Sequence, residues 1–190
     1  MCSPIGHTLA GLTTYYALRN CFPQSKAASG KMQYACFAIL IMANLPDTDL
    51  TFSWLYSGSL VKYHQVYTHN IFFLLAASLI AAKFWPLAQK FWQSALIFAA
   101  TLGSHLLLDS MVGRELWTGS ARGIPLLWPI SSAAYAAPIT MMPMLYFGKP
   151  ELILTVTNAN TLIYEALVLT PLLIIAIWTS KLKNGKPQLG

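Results

Sequence analysis

Five stretches of the chain are apolar enough to belong in a deep core or a bilayer. They are residues 5–18 (IGHTLAGLTTYYAL), 32–45 (MQYACFAILIMANL), 70–85 (NIFFLLAASLIAAKFW), 91–108 (FWQSALIFAATLGSHLLL) and 161–178 (TLIYEALVLTPLLIIAIW). Their length, without strict alternation, predicts helices. The punctuation agrees: Arg19, Lys26 and Lys31 follow the first, and Pro46 with Asp-Thr-Asp ends the second. Thr-His-Asn precedes the third, Pro86 closes it, and Lys181, Lys183 and Lys186 follow the fifth. The Gly/Pro-rich interval 113–150, with GIPLLWP and PITMMPMLYFG, predicts loops, short helices and a re-entrant hairpin. A full crossing takes roughly 20 apolar residues, and several segments fall short. The expectation is therefore an all-α, small integral membrane helical bundle with three to five membrane segments, built as one domain over residues 1–190. The first segment lacks the basic flank of a cleavable leader.

Composition strengthens the membrane reading. The chain is 56% hydrophobic and 9% charged, against about 25% charged in an ordinary soluble domain. The net charge of +6 does not imply nucleic acid, because no basic helix or aromatic-basic interleaving accompanies it. Cys2, Cys21 and Cys36 are odd in number and lack CxxC spacing, so neither a sulfur-rich zinc site nor a disulfide framework is indicated.

The polar residues inside this apolar pattern carry the candidate chemistry. The four histidines are His7, His64, His69 and His105, and the three aspartates are Asp47, Asp49 and Asp109. His7 begins the first segment, and Asp47 and Asp49 follow the second. His64 and His69 precede the third, and His105 and Asp109 close the fourth. Because successive helices alternate direction, all seven gather at one face of the bundle. Imidazole and carboxylate together suit zinc, manganese or iron, and seven candidate ligands exceed what one ion takes. A two-metal site follows, in which an aspartate bridges the ions or serves as general base.

Blander readings exist for each motif. His105 and Asp109 lie four apart, as a hydrogen-bonded helix pair would. Asp47 or Asp49 can cap a helix in a turn, and Thr68 can cap the third segment. Coincidence explains each motif singly, but not all seven on one face. Arg114 and Arg122 flank the site loop as phosphate or head-group ligands, or as interfacial anchors. Glu165, inside the fifth segment, either joins the site or neutralises a lysine. Trp117 and Trp128 read as interfacial anchors.

The ordered set SPIGHTLAG, LPDTD, HQVYTHN, SHLLLDS and GIPLLWPIS, over roughly residues 3–132, resembles the YdjM-like family of LexA-controlled, inner-membrane metal-dependent hydrolases. The resemblance implies a prokaryotic inner-membrane location, with His7, Asp47, Asp49, His64, His69, His105 and Asp109 as the metal-binding and catalytic positions. Where family members often read HRG, this chain has His64-Gln65-Val66, so an arginine suited to clamping phosphate is replaced.

The functional expectation is a membrane-bound metal-dependent hydrolase. It would use one or two divalent ions, zinc first and manganese or iron as alternatives, to activate water against a phosphoester of a lipid or lipid-linked substrate. Asp49, His64 and Asp109 are the catalytic candidates, and membrane lipids are the expected partners. The alternatives are a metal or proton transporter using the same ligands, and a catalytically degenerate structural protein. Eight basic residues (Arg19, Lys26, Lys31, Lys83, Lys90, Lys181, Lys183, Lys186) lie opposite the site, against four (Lys62, Arg114, Arg122, Lys149) beside it. Basic residues favour the cytoplasm, so the site is expected on the extracytoplasmic face.

Overall fold

The structure, a computed structural model, describes residues 1–26, 32–119, 121–147 and 154–184. Lys31, Lys149 and Lys186, counted above among the flanking charges, lie outside the described residues, as does the side chain of Lys183. The chain is predominantly helical, as expected: α1 (Pro4–Leu18), α2 (Met32–Asn44), α3 (Asp49–Ser57), α4 (Ile71–Phe84), α5 (Phe91–Ser110) and α6 (Val156–Asn184). Two-residue strands, β1 (Val112–Gly113) and β2 (Met142–Pro143), pair in parallel between α5 and α6.

Local chemistry sets the boundaries. Ser3 caps α1 by accepting from Gly6 N at 3.1 Å, with Pro4 just inside the start. Asn70 caps α4 by accepting from Phe73 N at 2.9 Å, so Thr68 is not the cap expected from sequence. Its hydroxyl is used elsewhere. After α2 the chain turns through the 3-10 segment Pro46–Thr48 and re-enters a helix, α3, bent 55° from α2. The sequence pattern ended the second element at Pro46 and missed α3. Neither aspartate serves as a conventional cap, since the residue before α3, Thr48, makes no side-chain cap bond.

Small residues bring the helices close. Gly11 faces Ala43 of α2, and a Cβ on Gly11 would stand 2.6 Å from the Ala43 Cβ, so only glycine fits that crossing. The core shared by α1, α2, α4 and α5 is rich in alanine (Ala35, Ala38, Ala81, Ala82, Ala95), with Tyr15, Ile39, Ile97, Phe98 and Leu102 filling it. A second cluster ties Cys2 and Ala10 to Leu108, Val112, Met142 and Leu169, joining the first residues, α5, the loop and α6.

Two described helices, α5 and α6, are long and apolar enough to cross a membrane, and a third span results if the bent α2–α3 pair is one. Helix α6 turns Leu167, Ile174, Ile175 and Trp178 outward. An exposed apolar surface of that kind needs lipid, not water, around it. Helices α1 and α4, of 15 and 14 residues, reach only about 21–23 Å and fall short of a full crossing alone.

Residues 111–147 form no helix among those described, which corrects the expected short helices. Their backbone groups are satisfied by fragments of ladder instead. Met141 N and Met142 N donate to Met111 O, Ala137 N to Ser110 O, and Ile124 exchanges bonds with Tyr135. The loop thus folds back on the end of α5 where His105 and Asp109 stand. Trp117 is exposed, while Trp128 packs edge-on against Tyr67 with ring centroids 5.0 Å apart.

Candidate metal centre

All seven predicted side chains converge. Each arrives from a helix end or the loop before α4: His7 from the first turn of α1, Asp47 and Asp49 from the bend between α2 and α3. His64 and His69 come from the loop, and His105 and Asp109 from the last turns of α5. His7, His69 and His105 are fully buried, and Asp109 nearly so.

Hydrogen bonds fix which ring nitrogen faces inward. His105 Nδ1 lies 2.8 Å from Ala43 O; a carbonyl only accepts, so Nδ1 carries the proton and Nε2 presents a lone pair. His64 Nδ1 lies 2.6 Å from Asp49 Oδ1, which directs its Nε2 the same way. Thr68 Oγ1 donates to Asp49 Oδ2 at 2.7 Å and lies 3.0 Å from His69 Nδ1, so the His69 Nδ1–H can donate to that hydroxyl. Three histidines are therefore held by outer partners with Nε2 turned to the centre, the arrangement that orients metal-bound imidazoles. His7 stacks on His105, ring centroids 3.6 Å apart.

At the centre ring nitrogens and carboxylate oxygens crowd one another. His69 Nε2 and His105 Nε2 stand 3.1 Å apart. His69 Nε2 is 3.2 Å from Asp109 Oδ2 and 3.4 Å from Asp47 Oδ1, and His7 Nε2 is 3.4 Å from Asp109 Oδ1. Both nitrogens of His7, both oxygens of Asp47 and Nε2 of His64 are buried with no hydrogen-bond partner. Buried acceptors facing one another repel unless something positive lies among them. The donor set fits a divalent cation. His7, Asp47, His105 and Asp109 each offer a ligand atom within 4.8 Å of the others, and so do Asp47, His64, His69 and Asp109. Asp47 and Asp109 belong to both groups.

A proton can fill the same role. Burial pulls His69 down, but the nearby carboxylates of Asp109, Asp47 and Asp49 outweigh it and raise His69 well above the ordinary histidine range.

Asp49 stands in neither ligand group among the described residues. Its oxygens take His64, Gln65 N at 2.9 Å and Thr68, so it positions histidines rather than facing the centre. Glu165 lies fully buried in α6, and neither sequence alternative describes its contacts. It accepts from Cys2 Sγ, Ser3 N and Ser3 Oγ, binding the first residues of the chain to α6. Cys2 N in turn donates to Asp109 Oδ1 at 2.8 Å, which places Glu165 one link behind the centre.

Two participants escaped the sequence reading. Gln65, with φ +64°, donates from Nε2 to Asp109 Oδ2 at 2.7 Å. The carbonyl of Ala43 orients His105. Gln65 was visible only as the residue between two histidine motifs, and a backbone carbonyl leaves no signature in sequence.

The family model described as "YdjM inner membrane protein" matches residues 1–184. No curated protein and no solved structure matches the chain.

Proposed function

The chain belongs to the YdjM inner membrane protein family, and we propose that it is a metal-dependent hydrolase acting at the membrane on a phosphoester of a lipid or lipid-linked substrate. The observation that carries this reading is the convergence of buried polar atoms without partners, on His7, Asp47 and His64, around two overlapping ligand groups. Three carboxylates gathered in a buried pocket also call for positive charge.

His7, His105, Asp47 and Asp109 would hold one ion, and His64, His69 and the same two aspartates a second. Zinc suits this donor set first, with manganese or iron as alternatives. When bound, such ions supply Lewis acidity and lower the pKa of water toward neutrality. The protein's own residues do the rest. Asp49 fixes the tautomer of His64 through the 2.6 Å bond, leaving Nε2 free as a ligand or a proton acceptor. Asp109 is anchored by Cys2 N and Gln65 Nε2, which holds its oxygens in place.

A lipid substrate is supported by two apolar cavities beside the centre. One, of about 510 Å³, is lined by Asp49, Phe52, Tyr56, Tyr63, Tyr67 and Thr68. The other, of about 560 Å³, runs between α2 and α4 and shares Phe52 and Thr68 with it. An acyl chain in such a groove would bring its head group toward Asp49. The cluster also sits at helix ends, whereas transporter sites lie near the bilayer midplane.

The test is hydrolysis of a phospholipid or chromogenic phosphodiester by purified protein in nanodiscs, with and without added zinc or manganese. Activity should require metal and disappear in the His64→Ala, His69→Ala double variant. Undiminished turnover in that variant would refute the assignment.

The extracytoplasmic orientation is part of the same proposal, and it rests on the basic residues opposite the site. On a cysteine-free background, Ser57→Cys should react with a membrane-impermeant thiol reagent in intact cells and Lys186→Cys should not. The reverse pattern would invert the orientation.

A further inference from the structure

We infer that a small cavity lined by His64, Gln65 and Arg122 receives the anionic phosphoryl group of the substrate, with Arg122 as its binding residue; this rests on the hydrolase reading above. The cavity measures about 120 Å³, and Val61, Met144, Leu145, Tyr146 and Phe147 complete most of its wall. Ligand pockets for whole small molecules run to about 300–1,000 Å³, so this one has room for a small group and not for a lipid chain.

Three observations connect it to the centre. His64 has a side chain only 5% exposed, its Nε2 has no hydrogen-bond partner, and the residue lines the cavity. Gln65, beside it on the wall, reaches Asp109 Oδ2 through its amide. The cavity therefore adjoins a candidate ligand and lies one side chain away from Asp109, a carboxylate of both ligand groups.

Arg122 supplies what the carboxylates lack. Asp47, Asp49 and Asp109 would repel an incoming anion, and a guanidinium offers paired donors matched to phosphate oxygens. Its backbone is set in place: Arg122 N donates to Val112 O at 2.9 Å, and Ala121 bridges Gly113. Gly123 follows at φ +73°, where a Cβ would stand 2.9 Å from the Tyr135 carbonyl carbon, so the turn carrying Arg122 requires glycine. Arg122 also lines a neighbouring cavity of about 400 Å³ with Gly113, Arg114 and Met144. Arg114 thus stands one step further out. Lys62 instead lies over the Tyr63 ring, 5.2 Å from its centroid.

The experiment titrates inorganic phosphate into purified, metal-loaded protein by calorimetry, comparing wild type with Arg122→Gln, Arg122→Lys and the distant control Lys83→Gln. Metal content is measured for each. We expect Arg122→Gln to weaken phosphate binding about tenfold or more, as loss of a charge-assisted contact does, with metal content unchanged. Arg122→Lys should lose less, and Lys83→Gln nothing. Phosphate binding equal to wild type in both Arg122 variants, or no phosphate binding by wild type, would overturn the inference. Because binding is read without turnover, phosphate held through Arg122 by a protein that hydrolyses no ester would overturn the hydrolase reading alone.

Discussion

Two buried polar clusters lie one hydrogen bond apart in this protein, and they are built differently. Around Glu165 the carboxylate is satisfied: Cys2 Sγ and Ser3 N donate to Oε1, and Ser3 Oγ donates to Oε2. Around Asp47 the polar atoms crowd one another, and His7, Asp47 and His64 keep buried atoms with no hydrogen-bond partner. The first cluster is complete in protein alone and fastens the start of the chain to α6. The second is complete only with added positive charge. Burial of an ionisable group therefore does not itself mark a site; the unspent acceptor capacity does.

The largest effect should come from Asp109, one of the two residues shared by both ligand groups. Asp109→Ala is expected to abolish binding of both ions, while His7→Ala or His64→Ala removes one and weakens the other. Metal stoichiometry by elemental analysis on folded protein checks this. Equal retention of metal in all three variants would dissolve the distinction between the clusters.

Asp49→Asn comes next. It frees the Nδ1 side of His64 and His69 without removing a candidate ligand, and loss of such an outer carboxylate costs about 10–100-fold in metal affinity. Competition against a metal-sensing dye measures it. An unchanged affinity would show that Asp49 does not position the histidines.

Glu165→Ala probes the other side of the comparison. It strands the donors of Cys2 and Ser3, which should cost about 1–3 kcal/mol of stability, seen as a lower Tm in the same detergent. Metal per folded chain should stay at the wild-type value. Loss of metal with unchanged Tm would reverse the roles of the two clusters.

What the sequence reveals divides along the same line. The convergence of seven His and Asp positions was legible because alternation of helix direction turns start, end, start, end into one face. Helix α3 was not, because Pro46 reads as a stop and DLTFSWLYS is short; the helix restarts after a 55° bend. The partners of Glu165 lie about 160 positions away, beyond any periodic pattern. The loop 111–147 is held by scattered backbone bonds such as Ala137 N to Ser110 O, which have no side-chain signature. A DxD motif likewise does not tell a ligand from a carboxylate behind a ligand, and the contacts of Asp49 with His64 and Thr68 appear only in the fold.

A smaller, graded effect is expected from pH. In metal-free protein the raised pKa of His69 adds stability that is full below the unfolded value near 6.5 and fades as pH rises through the higher folded value. Metal binding must expel that proton, so apparent affinity should rise with pH, by up to about tenfold per unit for one proton released. Metal-free stability and metal affinity should thus move in opposite directions between neutral and alkaline pH. Parallel movement would remove His69 from the ligand set.

The most direct measurement is the metal content of the purified wild-type chain after reconstitution with zinc or manganese and removal of excess ion. The account predicts one to two ions per folded chain, bound by the two overlapping ligand groups and lost in Asp109→Ala. Folded, full-length protein that retains no ion under either metal would contradict it.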